Sequence, residues 1–202
     1  MNQIDALQRL RELAAPVVET RDVVALLNVS TRNATALLTR LASKGMIARL
    51  GRGRWLVNLK IDRLALPELL SAPYPAYVSL QSALFHHGMV EQIPSVIYAV
   101  APARPRRVQT PLVTISFHRI PPELFRGFEL SLHSDAKIAT PEKALFDLIY
   151  LAPGRSRLFS TLPELTIPRR FRWQRLKEYT ELVKSPGRRA FISERIRALR
   201  RS

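Results

Sequence analysis

The first sixty residues place apolar side chains at helical spacing. Ile4, Leu7, Leu10 and Leu13 recur every three positions, as one face of a helix would. Ala15-Pro16 ends that segment, because a residue before proline is driven out of helical geometry. Thr20 stands where it can cap a second helix. Asp22 falls in its first turn, where the helix dipole favours a carboxylate, and Val23, Val24, Leu26 and Leu27 form its inward side. Asn28-Val29-Ser30 reads as a short turn. A third helix follows, capped by Ser30 or Thr31, with Ala34, Leu37, Leu38 and Leu41 at i, i+3, i+4 and i+7. Lys44-Gly45 closes it with a C-terminal glycine. Two strand-like runs, Met46–Leu50 and Arg54–Leu59, flank Gly51-Arg52-Gly53, a hairpin signal.

The pattern changes further along. Val78-Ser79-Leu80 opens a short helix running to His87, with Ser79 as its cap and Gly88 as its end. Ser95–Val100, Leu112–Phe117 and Phe128–Leu132 read as strands, with a basic proline loop over Ala101–Thr110 and a short extended piece at Lys137–Ala139. Thr140-Pro141-Glu142 combines a cap, a proline at the first helical position and an acid in the first turn, and Ala144, Leu145, Leu148 and Ile149 supply that helix's buried stripe. Two more stripes follow, Trp173, Leu176, Tyr179 and Val183, then Ile192, Ile196 and Leu199, separated by Pro186-Gly187. Only Pro16 precedes residue 67, and the other 14 of the 15 prolines follow it. The expected class is α+β: a winged helix-turn-helix over residues 1–62, a linker over 63–75, and a mixed α/β domain over 76–202 with a basic helical tail from 161.

Charge narrows the range of partners. The 202 residues carry 32 Lys+Arg against 16 Asp+Glu, a net +16. Residues 1–60 hold 10 basic and 4 acidic side chains, net +6; residues 61–160 hold 10 and 8, net +2; residues 161–202 hold 12 and 4, net +8. A polyanionic partner is expected, and the excess sits at the two ends. The absence of cysteine excludes disulfides and thiolate metal sites and fits a reducing compartment. The opening MNQIDALQRLRELA has no apolar signal core, and no apolar run approaches a membrane span, so a cytoplasmic protein without membrane attachment is expected.

In the first domain, the charge falls on a groove-reading geometry. The outer face of the third helix carries Arg32, Asn33, Thr35, Ala36, Thr39 and Arg40, with Lys44 just beyond it. A recognition helix reads base edges near its N-terminus, where Arg32 suits guanine O6/N7 and Asn33 suits adenine N6/N7. Ala36 can meet a thymine methyl, and Arg40 and Lys44 lie where phosphates run. Arg49, Arg52 and Arg54 put three cations on the wing. Winged helices also serve as protein-interaction modules, but that role does not require a basic hairpin tip joined to a basic helix face.

Catalytic and metal signatures are lacking. His86-His87 point about 100° apart on a helix, and His118 and His133 stand alone, so neither a metal nor another cofactor is expected. No G-x-S-x-G and no Walker motif is present. Glu142 reads as a first-turn acid and Lys143–Asp147 as an i,i+4 pair on an exposed face, so no enzyme is expected.

Three stretches carry a resemblance: a winged helix ending in GRGRWLV, then YVSLQSALFHHG, then IATPEKALFDLIYL. In this order they resemble the AbiEi-type antitoxin family, the winged-helix regulators of type IV toxin–antitoxin systems linked to abortive phage infection. The resemblance covers about residues 4–200, and Thr140–Leu148 is its most distinctive piece. It implies an autoregulatory repressor on inverted repeats in its own promoter, with two copies per operator, and a C-terminal domain that counters a nucleotidyltransferase-like toxin. Carried over, the DNA-binding residues are those of the third helix and wing. The antitoxicity region is the neighbourhood of Ser79, His87, Thr140, Glu142, Lys143 and Asp147.

Three readings stand for the tail. Arg169, Arg170, Arg172, Arg188, Arg189 and Arg195 are candidate contacts to a DNA backbone, or the tail binds RNA such as tRNA or a partner protein. Alternatively they are the solvated face of a helical cap.

Overall fold

The computed structural model describes residues 2–152 and 164–201; positions 161–163 of the expected tail lie outside the described residues. The chain divides into two compact units, residues 1–63 with 108–114, and residues 64–107 with 115–202. The class is mixed α and β, with two sheets.

The first unit begins with α1 (Gln3–Glu12), β1 (Val17–Glu19), α2 (Thr20–Leu27) and α3 (Thr31–Ser43). The hairpin strands β2 (Ala48–Gly51) and β3 (Arg54–Leu56) follow. Leu7 and Leu10 of α1 are buried, but Ile4 is 64% and Leu13 39% exposed, and Ala6 takes the inner position. A strict three-residue repeat drifts by about 60° per step around a helix of 3.6 residues per turn, so its first and last members face opposite ways. The α3 stripe lies as expected, with Ala34, Leu37, Leu38 and Leu41 all buried in one core with Val23, Leu27 and Trp55. Ser30 caps α3 through its hydroxyl, which accepts from the Asn33 N–H at 3.3 Å. Asn28 ends α2 in the left-handed region at φ 49°, and Gly45 at φ 67° follows α3.

Thr20 does not cap α2. Glu19 does, in a capping box where the Glu19 N–H donates to Asp22 Oδ2 at 2.8 Å. Thr20 works on the hairpin instead: its Oγ1 accepts from Trp55 Nε1 at 3.1 Å and donates to the Gly53 carbonyl at 3.4 Å. The residues around Thr20 also supply a strand, β1, absent from the sequence reading. It pairs antiparallel with β3, so the hairpin becomes a three-stranded sheet in the order β1-β3-β2.

After the hairpin the chain builds mostly the second unit, and the segment expected as a linker carries structure of its own. A 3-10 turn at Arg63–Ala65 leads into α4 (Leu66–Ser71), whose Leu66 and Leu70 are buried. Then come β4 (Tyr77–Val78), α5 (Leu80–His86), β5 (Ile97–Ala101), β6 (Arg106–Gln109), β7 (Thr114–Arg119), β8 (Phe128–Leu130) and β9 (Lys137–Ala139). The helices α6 (Pro141–Leu151), α7 (Trp173–Glu181) and α8 (Pro186–Leu199) complete it. The sheet runs β6-β7-β5-β4-β9-β8 and is mixed: β5 and β7, and β4 and β9, are parallel, while β4 and β5, and β8 and β9, are antiparallel. The basic proline loop expected over 101–110 contains β6, whose Arg106 guanidinium lies 4.6 Å from the Phe117 ring centre and donates to the Leu70 carbonyl at 3.1 Å. The two stripes are separate helices as expected, with the break just before Pro186, which is the first residue of α8 and follows its cap Ser185.

Helix α6 is buried on all sides. Besides the expected Ala144, Leu145, Leu148 and Ile149, its Glu142, Lys143, Phe146 and Asp147 are buried. Tyr179 and Leu176 of α7 and Ile192 of α8 are buried in the same unit.

Candidate functional site

The outer face of α3 forms the first candidate surface. With Ala34, Leu37, Leu38 and Leu41 turned inward, Arg32, Asn33, Thr35, Ala36, Thr39 and Arg40 are all exposed. Thr35 folds its hydroxyl back onto the Thr31 carbonyl at 2.8 Å, which keeps that side chain close to the helix and the face shallow. Lys44 is exposed but engaged, donating to Gln3 Oε1 of α1 at 2.7 Å. At the hairpin, Arg52 is exposed at the turn and Arg54 is half-buried. Arg49 is exposed, lies 5.6 Å from the Trp55 ring centre and donates to the Gly51 carbonyl at 3.4 Å. Gly53 takes φ +69°, which the turn between β2 and β3 requires. Thr20 anchors this turn through Gly53 and Trp55. The sequence does not announce that role, because a threonine beside Asp22 looks like a cap.

The second unit brings together part of the expected antitoxicity region. Lys143 and Asp147 are not on an exposed face: both side chains are 0% exposed. Lys143 Nζ donates to Asp147 Oδ1. Asp147 Oδ2 accepts from Ser79 Oγ at 2.7 Å and from Tyr77 Oη at 3.0 Å. Ser79 precedes α5 but spends its hydroxyl on Asp147 rather than on the helix end. The lysine is also ringed by aromatics, with Phe146 at 4.9 Å, Tyr179 at 5.4 Å and Tyr77 at 5.9 Å from Nζ to the ring centres. Burial raises the Asp147 carboxyl and lowers the Lys143 ammonium, and burial together with Asp147 drives the Tyr77 phenol far up. The arrangement is a satisfied polar core. Each hydroxyl donates to the carboxylate and the ammonium balances it, so the groups hold β4, the start of α5 and α6 together.

Glu142 sits in the first turn of α6 as expected, and it is buried there, its carboxylate accepting the Arg172 N–H at 2.8 Å. Thr140 caps α6 through its hydroxyl, which accepts the Lys143 N–H at 3.3 Å. His87 Nε2 donates to the Ala139 carbonyl at 2.7 Å. Thus Ser79, Lys143 and Asp147 meet directly, while His87, Thr140 and Glu142 each serve a separate backbone junction. Tyr77, the first residue of the YVSLQSALFHHG stretch but not a residue singled out there, belongs to this core, as does Gly127, which lies in no motif. A Cβ on Gly127 would lie 2.3 Å from Tyr179 Oη, and Gly127 itself sits at φ +77°.

Of the tail arginines, Arg169, Arg170, Arg172, Arg189 and Arg195 are exposed. Arg188 is half-buried with its guanidinium 4.9 Å from the Tyr150 ring centre, and Arg195 lies 5.5 Å from that of Phe191. Among the described residues, no group of three histidine or acidic side chains could hold a metal ion, and no helix is long and apolar enough to cross a membrane. No protein-family model matches the chain, and no curated protein matches it significantly.

Proposed function

We propose that the first unit is a winged helix-turn-helix that binds duplex DNA, with α3 in the major groove and the β2–β3 turn on the flanking backbone. The observation that carries this reading is the division of α3 into a fully buried apolar face and a fully exposed face holding Arg32, Asn33 and Arg40. A helix about 10–12 Å across with its side chains matches a groove about 12 Å wide. Arg32 and Asn33 lie in its first turn, where base edges are reached, and Arg40 lies a little over two turns on, at phosphate height. Arg49 and Arg52 extend the positive surface onto the hairpin.

The resemblance to AbiEi-type antitoxins supports the rest of the reading. The chain represses its own operon from inverted repeats, two copies to a site, and its second unit counters a nucleotidyltransferase-like toxin. A cytoplasmic, non-enzymatic, cofactor-free role goes with it. The test is a mobility-shift titration with duplex from the chain's own upstream region against random duplex of equal length. Preferential retention of the upstream duplex supports the reading, and equal binding to both removes it.

A further inference from the structure

Between α7 and α8 runs a groove of about 500 Å³ that the DNA-binding reading leaves without a role. Its walls are helical stripes. Gln174, Lys177 and Glu181 line it from α7 at spacings of three and four. From α8 and its C-terminal cap Arg200 the lining runs from Arg189 to Arg200, a distance of about 16 Å at 1.5 Å per residue. The apolar part of the lining, called the floor below, is half-buried Trp173 and Ile196 with exposed Ala190. Four cations stand along the rim, Lys177, Arg189, Arg197 and Arg200, against one acid, Glu181. All five rim residues are exposed.

We propose that this groove docks an amphipathic helix of about three turns from a partner protein, with an apolar ridge on the floor and acidic flanks under the rim cations. Length, floor and charge each select this occupant. The groove matches about three helical turns end to end. Its apolar floor calls for Leu- or Phe-like side chains recurring every three or four residues. The four-to-one excess of cations calls for Glu or Asp beside that ridge. A nucleic-acid strand fits less well. Phosphates would meet the rim cations but leave the apolar lining uncovered. The proposal does not depend on DNA binding by the first unit.

The experiment is fluorescence anisotropy on the full chain with a labelled, end-capped synthetic peptide. The peptide carries leucines three and four residues apart with glutamates flanking them. A scrambled peptide of the same composition keeps the charge and loses the ridge. Two variants probe the groove: Arg189→Glu with Arg197→Glu reverses the rim, and Ala190→Trp fills the floor without changing charge. Circular dichroism checks that each remains folded, and either folded variant suffices. The amphipathic peptide is expected to bind at least about tenfold tighter than the scrambled one, and each folded variant to lose about tenfold or more. Equal binding of the two peptides, or unchanged binding in a folded variant, would overturn the proposal. So would full displacement of the peptide by a single-stranded oligonucleotide whose own binding the rim reversal abolishes, since the groove would then be a nucleic-acid site.

Discussion

Lys143 and Asp147 face each other one turn apart on α6 with neither side chain reaching solvent. Two charges in a protein interior persist only when paired and further hydrogen-bonded, and here Tyr77 and Ser79 supply the remaining donors to the carboxylate. Asp147→Leu is expected to cost about 3–5 kcal/mol, because it strands a buried ammonium. Lys143→Met should cost less, because Asp147 keeps two hydroxyl donors and can take up a proton. The double variant should be more stable than the sum of the single losses predicts. Urea unfolding of the four proteins checks this, and strictly additive losses would show that the two residues are not coupled.

Gly127 lies against the same core. A methyl group there meets Tyr179 Oη at 2.3 Å, and the φ of +77° is unfavourable to any other residue. Gly127→Ala is expected to lower stability by about 2 kcal/mol or more. Adding Tyr179→Phe should recover part of the loss by removing the oxygen. A Gly127→Ala protein with an unchanged urea midpoint would show that Tyr179 moves aside at no cost.

His118 on β7 is partly buried, and that burial lowers its pKa below the ordinary 6.5. The unfolded chain therefore takes up a proton more readily than the folded one. The histidine's contribution to stability is fully present above about pH 6.5 and is lost as pH falls through the depressed folded value. His118→Gln should flatten the fall in melting temperature over that acid window. Parallel curves for the two proteins would assign the acid sensitivity to other groups.

Thr20 links the start of α2 to the hairpin through Trp55 Nε1 and the Gly53 carbonyl. Thr20→Val keeps the shape and removes both bonds, leaving a part-buried indole N–H unsatisfied, at an expected cost of about 1–3 kcal/mol. Backbone amide exchange at β2 and β3 should quicken more than at α3. Uniform acceleration would mean that Thr20 supports the whole unit rather than the turn.

The helices of the first unit were legible because each solvent-facing helix shows one apolar stripe, and α3 shows it cleanly. β1 was hidden because Val17-Val18-Glu19 is too short to display alternation, and its strand character comes from pairing with Leu56, Trp55 and Arg54. The start and the buried stripe of α6 were legible, but the exposed face expected for Lys143 and Asp147 was wrong for a physical reason. Lys143 and Asp147 at i,i+4 look like a surface pair, yet PEKALFDLIYL has only three charged residues in eleven and is apolar around most of its circumference, which is the mark of a buried helix. The Tyr77–Asp147 bond spans 70 positions, and no local pattern can encode such a partner. The α7–α8 groove is half visible in the sequence: both stripes show there, but the facing of their basic edges depends on the packing of two helices.

The most direct test of the central claim is a salt titration of binding to the chain's own upstream duplex and to random duplex, for wild type and Arg32→Ala. A steep fall in affinity with salt is expected for both duplexes. Arg32→Ala is expected to cost about 1–3 kcal/mol on the upstream duplex and much less on the random one. Equal losses on the two duplexes, or wild-type binding indifferent to salt and sequence, would contradict a groove-reading role for α3.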